Sequence, residues 1–465
     1  MSGWRTNGHL NEIVCISPVN GREYARRPMA TDAEVDKALD AARRAQREWP
    51  RTPLDERCAT MLRFLEAMEA LNPAIVPELA WQMGRPVRYG GELRSLAERV
   101  RAMVDLAPSA LAPFVAGAGR SVVRVSAGLV LVIAPWNYPF LTAANTIVPA
   151  LLAGNAVILK HASQTPLAGE RFAEALGRSG LPEGLFANLF LSHEQTARLL
   201  GAGAVDHVTF TGSVEAGKAV ERAAAGSFIT LTLELGGKDP AYVREDAELA
   251  GTVDGLVDGS FFNSGQSCCG VERIYVHEAV WEAFLDSFVA ATSQYRLGNP
   301  LDRETSLGPM VSGGAADLVR AQVRQAIEAG ATGHLPPQLF PTDSGEGPYL
   351  MPQVLTDVDH GMAVMREETF GPVIGIMAVR NDEEAVRLMN DSRYGLTASI
   401  WTRDLQAAER LAARVEAGTV FANRCDYLDP LLAWTGVKDS GRGASLGRHG
   451  FESVTRPKSL HLRSS

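Results

Sequence analysis

The chain has 465 residues, 46% of them hydrophobic and 21% charged, which reads as a folded chain of about two or three domains and not as a disordered one. Its net charge of -9 is spread without a basic block, which argues against nucleic acid and anionic membrane surfaces as partners. The first fifteen residues, "MSGWRTNGHLNEIVC", hold no apolar core of signal-peptide length, and the apolar run from Ala143 to Leu159 is broken by Asn145, Pro149 and Asn155, so the expected location is cytoplasmic.

Helical periodicity predicts helices over Asp32 to Glu48 and Asp55 to Leu71, followed by short β-rich runs at Gly128 to Pro135, Asn155 to Lys160 and His207 to Gly212. Between these runs lie a helix from Pro166 to Arg178, a strand in "LFANLFL" and a helix from His193 to Leu200. Strand, turn and helix alternate, which argues for a parallel α/β fold. The one long stretch of loop composition, Leu335 to Tyr349, is expected to be a surface excursion.

The five cysteines, Cys15, Cys58, Cys268, Cys269 and Cys425, are odd in number and lack C-x-x-C spacing, so neither a disulfide framework nor a metal site is expected. Cys15, Cys58 and Cys425 are read as small buried hydrophobes. Cys268 and Cys269 stand apart, side by side between glycines in "NSGQSCCG". A second motif, Gly212-Ser213-Val-Glu-Ala-Gly217-Lys218-Ala219, nearly spells a nucleotide-triphosphate loop but lacks the final hydroxyl that would hold magnesium. A helix N-terminus with close-approaching glycines still suits a dinucleotide pyrophosphate, and packing alone is the plainer alternative.

"APWNYP" (Ala134 to Pro139), "FTGS" (Phe210 to Ser213), "LELGGKDP" (Leu233 to Pro240), "NSGQSCCG" and "EETFGPV" (Glu367 to Val373) occur in this order. With them the chain resembles the aldehyde dehydrogenase superfamily, NAD(P)-dependent and non-acylating, over nearly its whole length. The resemblance implies an α/β fold with a Rossmann-type cofactor domain over residues 1–118 and 127–235 and a catalytic domain over 236–440. It also implies a small β arm for oligomerisation from 119–126 and 451–465, and a homodimer or homotetramer.

The same resemblance assigns roles. Cys268, two residues after Gly265-Gln266, matches the nucleophile, a thiolate that converts an aldehyde to a thiohemiacetal able to release hydride. Cys269 and Ser267 match neighbours lining the pocket. Asn137 matches the side-chain donor to the oxyanion, with the Cys268 backbone amide as partner. Glu234 matches the general base that activates water for thioester hydrolysis; an ion pair with Lys238 is its structural alternative. On the cofactor side, Trp136, Lys160, Ser163, Gly212, Ser213, Gly217, Glu368 and Phe370 match binding positions, Glu368 for the nicotinamide ribose and Phe370 beside the ring. Glu367 is expected to be solvated, and His161 to be an exposed loop residue. No metal is expected.

The sequence departs from the family pattern in three places. Ser163 stands where NAD-preferring members carry glutamate, so with Lys160 nearby NADP should be tolerated or preferred. Arg456 falls where many members have a second glutamate assisting proton transfer, and Glu452 replaces it only if the chain is shifted. Asn145 occupies a position at which succinate-semialdehyde members tend to carry arginine, with Arg424 as a candidate substitute. With Tyr138, Leu141 and Trp434 also lining the pocket, the expected substrate is an aromatic or medium-chain aliphatic aldehyde. Two rivals are a CoA-acylating dehydrogenase, disfavoured by Glu234, and a catalytically silent relative, disfavoured by the joint presence of Cys268, Glu234, Asn137 and Glu368.

Overall fold

The computed structural model describes residues 11–463; the outer ends of the expected first domain and of the C-terminal arm lie outside this range. The first long helix spans Asp32–Glu48, as its periodicity predicts. Thr31 sets its start, because the Thr31 side chain accepts from the Glu34 N–H while the Glu34 carboxylate accepts from the Thr31 N–H. The next helix, Leu54–Met83, runs 30 residues, well past the expected end at Leu71. Pro73 and Pro77 lie inside it, and proline is the usual reason to stop. Tertiary contacts outweigh them: Ile75, Leu79 and Met83 continue the buried face, and Arg171 from the helix Pro166–Arg178 grips Glu78.

A six-stranded sheet forms the first layer system. Its spatial order is Gly441–Arg442, Thr230–Glu234, His207–Thr211, Leu129–Ile133, Ala156–Lys160 and Phe186–Asn188, all parallel except the antiparallel edge Gly441–Arg442. Leu129–Ile133 is buried throughout, as a strand covered on both faces requires. The chain leaves it towards Ala156–Lys160, then crosses back to His207–Thr211 on its other side. That reversal is a topological switch point, where open parallel sheets bind ligands at their carboxyl ends.

The second sheet has seven strands in the order Thr332–Gly333, Gln353–Thr356, Val373–Val379, Val271–His277, Asp239–Val243, Thr397–Trp401 and Thr419–Ala422. Only Thr332–Gly333 runs antiparallel to its neighbour. A third, antiparallel sheet joins Thr455–His461 to Arg120–Ser126 and Phe114–Gly117. The hairpin strand Phe114–Gly117 is short and has no strong alternation, so the sequence did not mark it. Leu335 to Tyr349 is irregular apart from a short turn of helix at Pro337–Leu339, and Arg320 ties it down through the Gly347 and Tyr349 carbonyls.

Among the described residues no helix is long and apolar enough to cross a membrane, and no cluster of His, Cys, Asp or Glu is arranged to hold a metal ion.

Candidate active site

The two large sheets meet end to end at the sequence motifs. Trp136 and Asn137 follow Ile133, Lys160 ends its strand, Gly212 and Ser213 follow Thr211, and Glu234 ends Thr230–Glu234, all at carboxyl ends of the first sheet. Lys238, Cys268 and Phe370 instead precede Asp239–Val243, Val271–His277 and Val373–Val379, at amino ends of the second.

The thiol loop is held in an unusual backbone shape. Asn263 (φ 53°) and Ser264 (φ 58°) are left-handed and followed by Gly265 (φ 68°), where a Cβ would sit 2.2 Å from the Gly371 carbonyl oxygen. Only glycine fits there, and left-handed serine is a strained choice that persists when its surroundings over-determine it. They do: the Ser264 hydroxyl donates to the Gly308 carbonyl (2.8 Å), and the Gln266 side chain bonds the Asn263 carbonyl (3.0 Å) and the Val311 N–H (2.7 Å).

This turn presents the two cysteines differently. Cys268 is partly exposed, whereas Cys269 is buried. The Cys269 thiol donates to Asp426 Oδ1 at 3.0 Å, and the Ser267 hydroxyl donates to the same oxygen at 2.8 Å. A hydrogen bond with Cys268, burial and the nearby acid push the Cys269 thiol well above its usual range. Burial likewise raises Asp426.

Asn137 is buried, and its Nδ2 donates to the Gln266 carbonyl (3.2 Å), which places the amide beside the thiol loop. Its own carbonyl accepts from Arg85 Nη2 (2.5 Å), and Arg85 Nη1 pairs with Glu92 (2.6 Å) with both side chains 3% exposed. Glu92 also accepts from the Phe140 and Leu141 N–H groups (2.9 and 2.8 Å), capping the helix Pro139–Leu152 from outside that helix. Arg85 further lies over the Tyr138 ring, 4.8 Å from its centroid. Neither Arg85 nor Glu92 belongs to a motif, and no sequence signal singles them out.

Glu234 is 7% exposed, with Thr211 Oγ1 donating to Oε2 (3.0 Å) and Ser445 Oγ to Oε1. Burial raises its pKa, while the two hydroxyls and the charge of Arg99 pull the other way. Its expected alternative partner is taken elsewhere: Lys238 Nζ bonds Glu272 (2.6 Å) and Thr369 Oγ1 (2.9 Å). The Ser445 backbone exchanges hydrogen bonds with Trp434 (2.9 and 2.7 Å), which ties that buried indole to the strand edge beside Glu234.

The residues matched to cofactor binding lie at or near these strand ends. Glu368 accepts from the Gly237 N–H (3.1 Å), and a Cβ on Gly236 would strike the Glu368 carboxyl at 2.2 Å, so the paired glycines make room for it. Burial, reinforced by the charge of Glu272, pushes Glu368 up to about 8. Trp136 and Phe370 face each other edge-on, ring centres 5.7 Å apart. Glu272 accepts from the Thr369 and Phe370 N–H groups (2.8 and 2.9 Å), which fixes that loop. Lys160 is brought down to about 8 by burial, and Ser163, three residues on, is exposed. Ser213 caps the helix Val214–Ala224 by accepting from the Ala216 N–H; a Cβ on Gly217 would lie 2.5 Å from Leu235, so packing already accounts for that glycine. Aromatic walls, a carboxyl group and strand-end polar groups form a donor set that fits a dinucleotide.

Three expectations are corrected. His161 is not exposed: it is 1% exposed, bonded to the Pro139 carbonyl (3.1 Å) and Thr165 (3.2 Å), and burial brings it down to about 4. Its neighbours Val157 to Leu159 bury the strand from which it emerges. Glu367, by contrast, is solvent-exposed as expected, and pairs at the surface with Arg393 (3.1 Å). Arg424 is exposed and stacks on Tyr427, 3.3 Å from ring centre, at the surface. Arg456 lies on the three-stranded sheet, exposed and donating to the Ala127 carbonyl (2.6 Å), while Glu452 pairs with Arg124 (3.0 Å).

The aldehyde dehydrogenase family profile matches residues 4–460. The chain belongs to the aldehyde dehydrogenase family. It is thus an oxidoreductase by family. Betaine aldehyde dehydrogenase 2 of Rhizobium meliloti is 34% identical over 460 residues, covering 97% of this chain and 94% of that protein. A succinate semialdehyde dehydrogenase [NAD(P)+] of Escherichia coli is 32% identical over 442 residues, covering 94% of this chain and 95% of its own. The structure of a betaine aldehyde dehydrogenase from Staphylococcus aureus in complex with NAD+ superposes with a TM-score of 0.90 at 28% identity, covering 97% of this chain and 91% of that one.

Proposed function

We propose that this aldehyde dehydrogenase oxidises an aldehyde to its carboxylic acid with NAD or NADP and without CoA, through Cys268. One observation carries the reading: the amide of buried Asn137 is held on the thiol loop at the Gln266 carbonyl, two residues before the partly exposed Cys268, while a buried carboxyl group, Glu234, anchored by two hydroxyls, ends a strand of the same sheet that Asn137 follows.

The Cys268 thiolate adds to the carbonyl carbon, forming a C–S bond and an oxyanion. The second N–H of the Asn137 amide and the Cys268 N–H, which make no hydrogen bond among the described residues, are the donors to that oxygen. When bound, NAD or NADP supplies the hydride acceptor, and Glu368, Trp136 and Phe370 hold it in place. The thioester left on Cys268 is attacked by water whose proton goes to Glu234; the C–S bond breaks and the acid leaves. A base held for water argues against transfer to CoA.

For the substrate, Tyr138, Leu141 and Trp434 support an aromatic or medium-chain aliphatic aldehyde. The buried guanidinium of Arg99 favours a second reading, an acidic aldehyde, and its positive charge disfavours the cationic aldehyde for which the Rhizobium relative is named. The three-stranded sheet, with Phe114 and Val115 66% and 70% exposed, supports a homodimer or homotetramer joined through that arm, in the cytoplasm.

The test is purified protein with a panel of aldehydes, NAD or NADP, and no CoA. Cofactor reduction with release of the free acid is expected; reduction that requires CoA overturns the reading.

A further inference from the structure

Arg99 lies on the helix Leu93–Ala110, outside every motif, and is 5% exposed. Its Nη1 donates to the Leu141 carbonyl (3.1 Å) and to Asn145 Oδ1 (2.8 Å). Among the described residues, no hydrogen bond engages its Nε or Nη2, and no carboxylate lies within ion-pair distance of it. The Asn145 amide is itself 1% exposed, and its Nδ2 has no hydrogen-bond partner.

A buried guanidinium without a counter-charge is costly, and buried charges are ordinarily paired. The two carboxyl groups whose charge acts on Arg99 are each engaged by another group: Glu92 pairs with Arg85, and Glu234 is held by Thr211 and Ser445. Arg99 nevertheless borders the reaction site: it is bonded to Leu141 and Asn145 on the helix that begins two residues after Asn137, and the charges of Glu234, Cys268 and Cys269 act on it. The charge it lacks is one a bound molecule would bring.

We propose that Arg99 and Asn145 form the carboxylate subsite of this pocket and that the substrate is an acidic aldehyde, a semialdehyde. Its far carboxylate takes the free N–H groups of the guanidinium and of the Asn145 amide while its carbonyl meets Cys268. Arginine's planar fork suits a carboxylate, and the two unpartnered donors are satisfied together. The inference rests on the aldehyde dehydrogenase activity proposed above and names its substrate class. Asn145, which at first reading signals a missing arginine, becomes the residue that orients one supplied by a neighbouring helix.

The test compares succinate semialdehyde with butanal, which matches it in length without the carboxylate, in wild type, Arg99→Met and Arg99→Lys. The expected wild-type preference in kcat/KM for the acidic aldehyde is about 10- to 100-fold, the range for a hydrogen bond to a charged group. Arg99→Met abolishes that ratio and Arg99→Lys restores part of it. Equal use of the two aldehydes by wild type, or a ratio unchanged in Arg99→Met, overturns the subsite; equal losses for both aldehydes mean that Arg99 only supports the fold or Glu234. Protection of wild-type Cys268 from iodoacetamide by succinate, absent with butanediol, reads the same subsite without a variant, and no protection overturns it. Turnover of butanal without preference refutes the subsite alone, whereas failure of every aldehyde refutes the activity.

Discussion

The thiol of Cys269 points at Asp426 Oδ1, 3.0 Å away, and this contact gives a physical ground for the distinction between two adjacent cysteines that the motif match draws in favour of Cys268. A thiol donating to an acid stays protonated, and its raised pKa keeps it a poor nucleophile. Cys268→Ala is therefore expected to abolish turnover while Cys269→Ala retains most of it. Iodoacetamide followed by mass spectrometry should label Cys268 first; equal losses in the two variants would mean the pair acts jointly.

Glu234 acts as a base only when ionised, and burial raises its pKa above the ordinary carboxyl range. The deacylation rate should therefore fall as pH drops through that raised value, not through the range of an exposed glutamate. Ser445→Ala and Thr211→Val each remove a hydrogen bond that lowers the pKa, so the acidic limb of kcat should move to higher pH. Glu234→Gln should give a burst of reduced cofactor near one equivalent and then little turnover. Absence of the burst would show that Glu234 acts before hydride transfer.

Ser163, three residues after Lys160, is exposed and puts no carboxylate at that position. NADP is expected to be used within about tenfold of NAD or better, and Ser163→Glu to shift preference towards NAD by about 1–3 kcal/mol, the size of a lost charge-assisted contact plus a like-charge clash. Steady-state kinetics with both cofactors decides it: wild type ignoring NADP defeats the reading.

Arg85 and Glu92 form a buried pair whose loss strands the remaining charge. Arg85→Met should cost about 3–5 kcal/mol in denaturant unfolding. The double variant Arg85→Met/Glu92→Leu should recover a large part of that loss. Because Arg85 also holds the Asn137 carbonyl, kcat should fall in both. A double variant no more stable than the single one would refute the pairing argument.

The sequence by itself determined the family, the parallel α/β alternation, helix ends such as Asp32–Glu48 and Pro166–Arg178, and the choice of Cys268, Glu234 and Asn137 as candidate residues. Those features are local: capping residues, apolar periodicity and contiguous motifs act over a few neighbouring positions. The continuation of Leu54–Met83 through two prolines, the burial of His161 and the strand at Phe114–Gly117 were decided by tertiary contacts, because packing can outweigh local propensity. The same holds for the partners that give the site its chemistry. Arg85 meets Asn137, Ser445 meets Glu234, Asp426 meets Cys269 and Arg99 meets Asn145 across 52, 211, 157 and 46 positions of chain. Hydrogen bonds and pKa shifts depend on distance in space and on exclusion of water, and neither is written in the order of residues until the sheets close on one another.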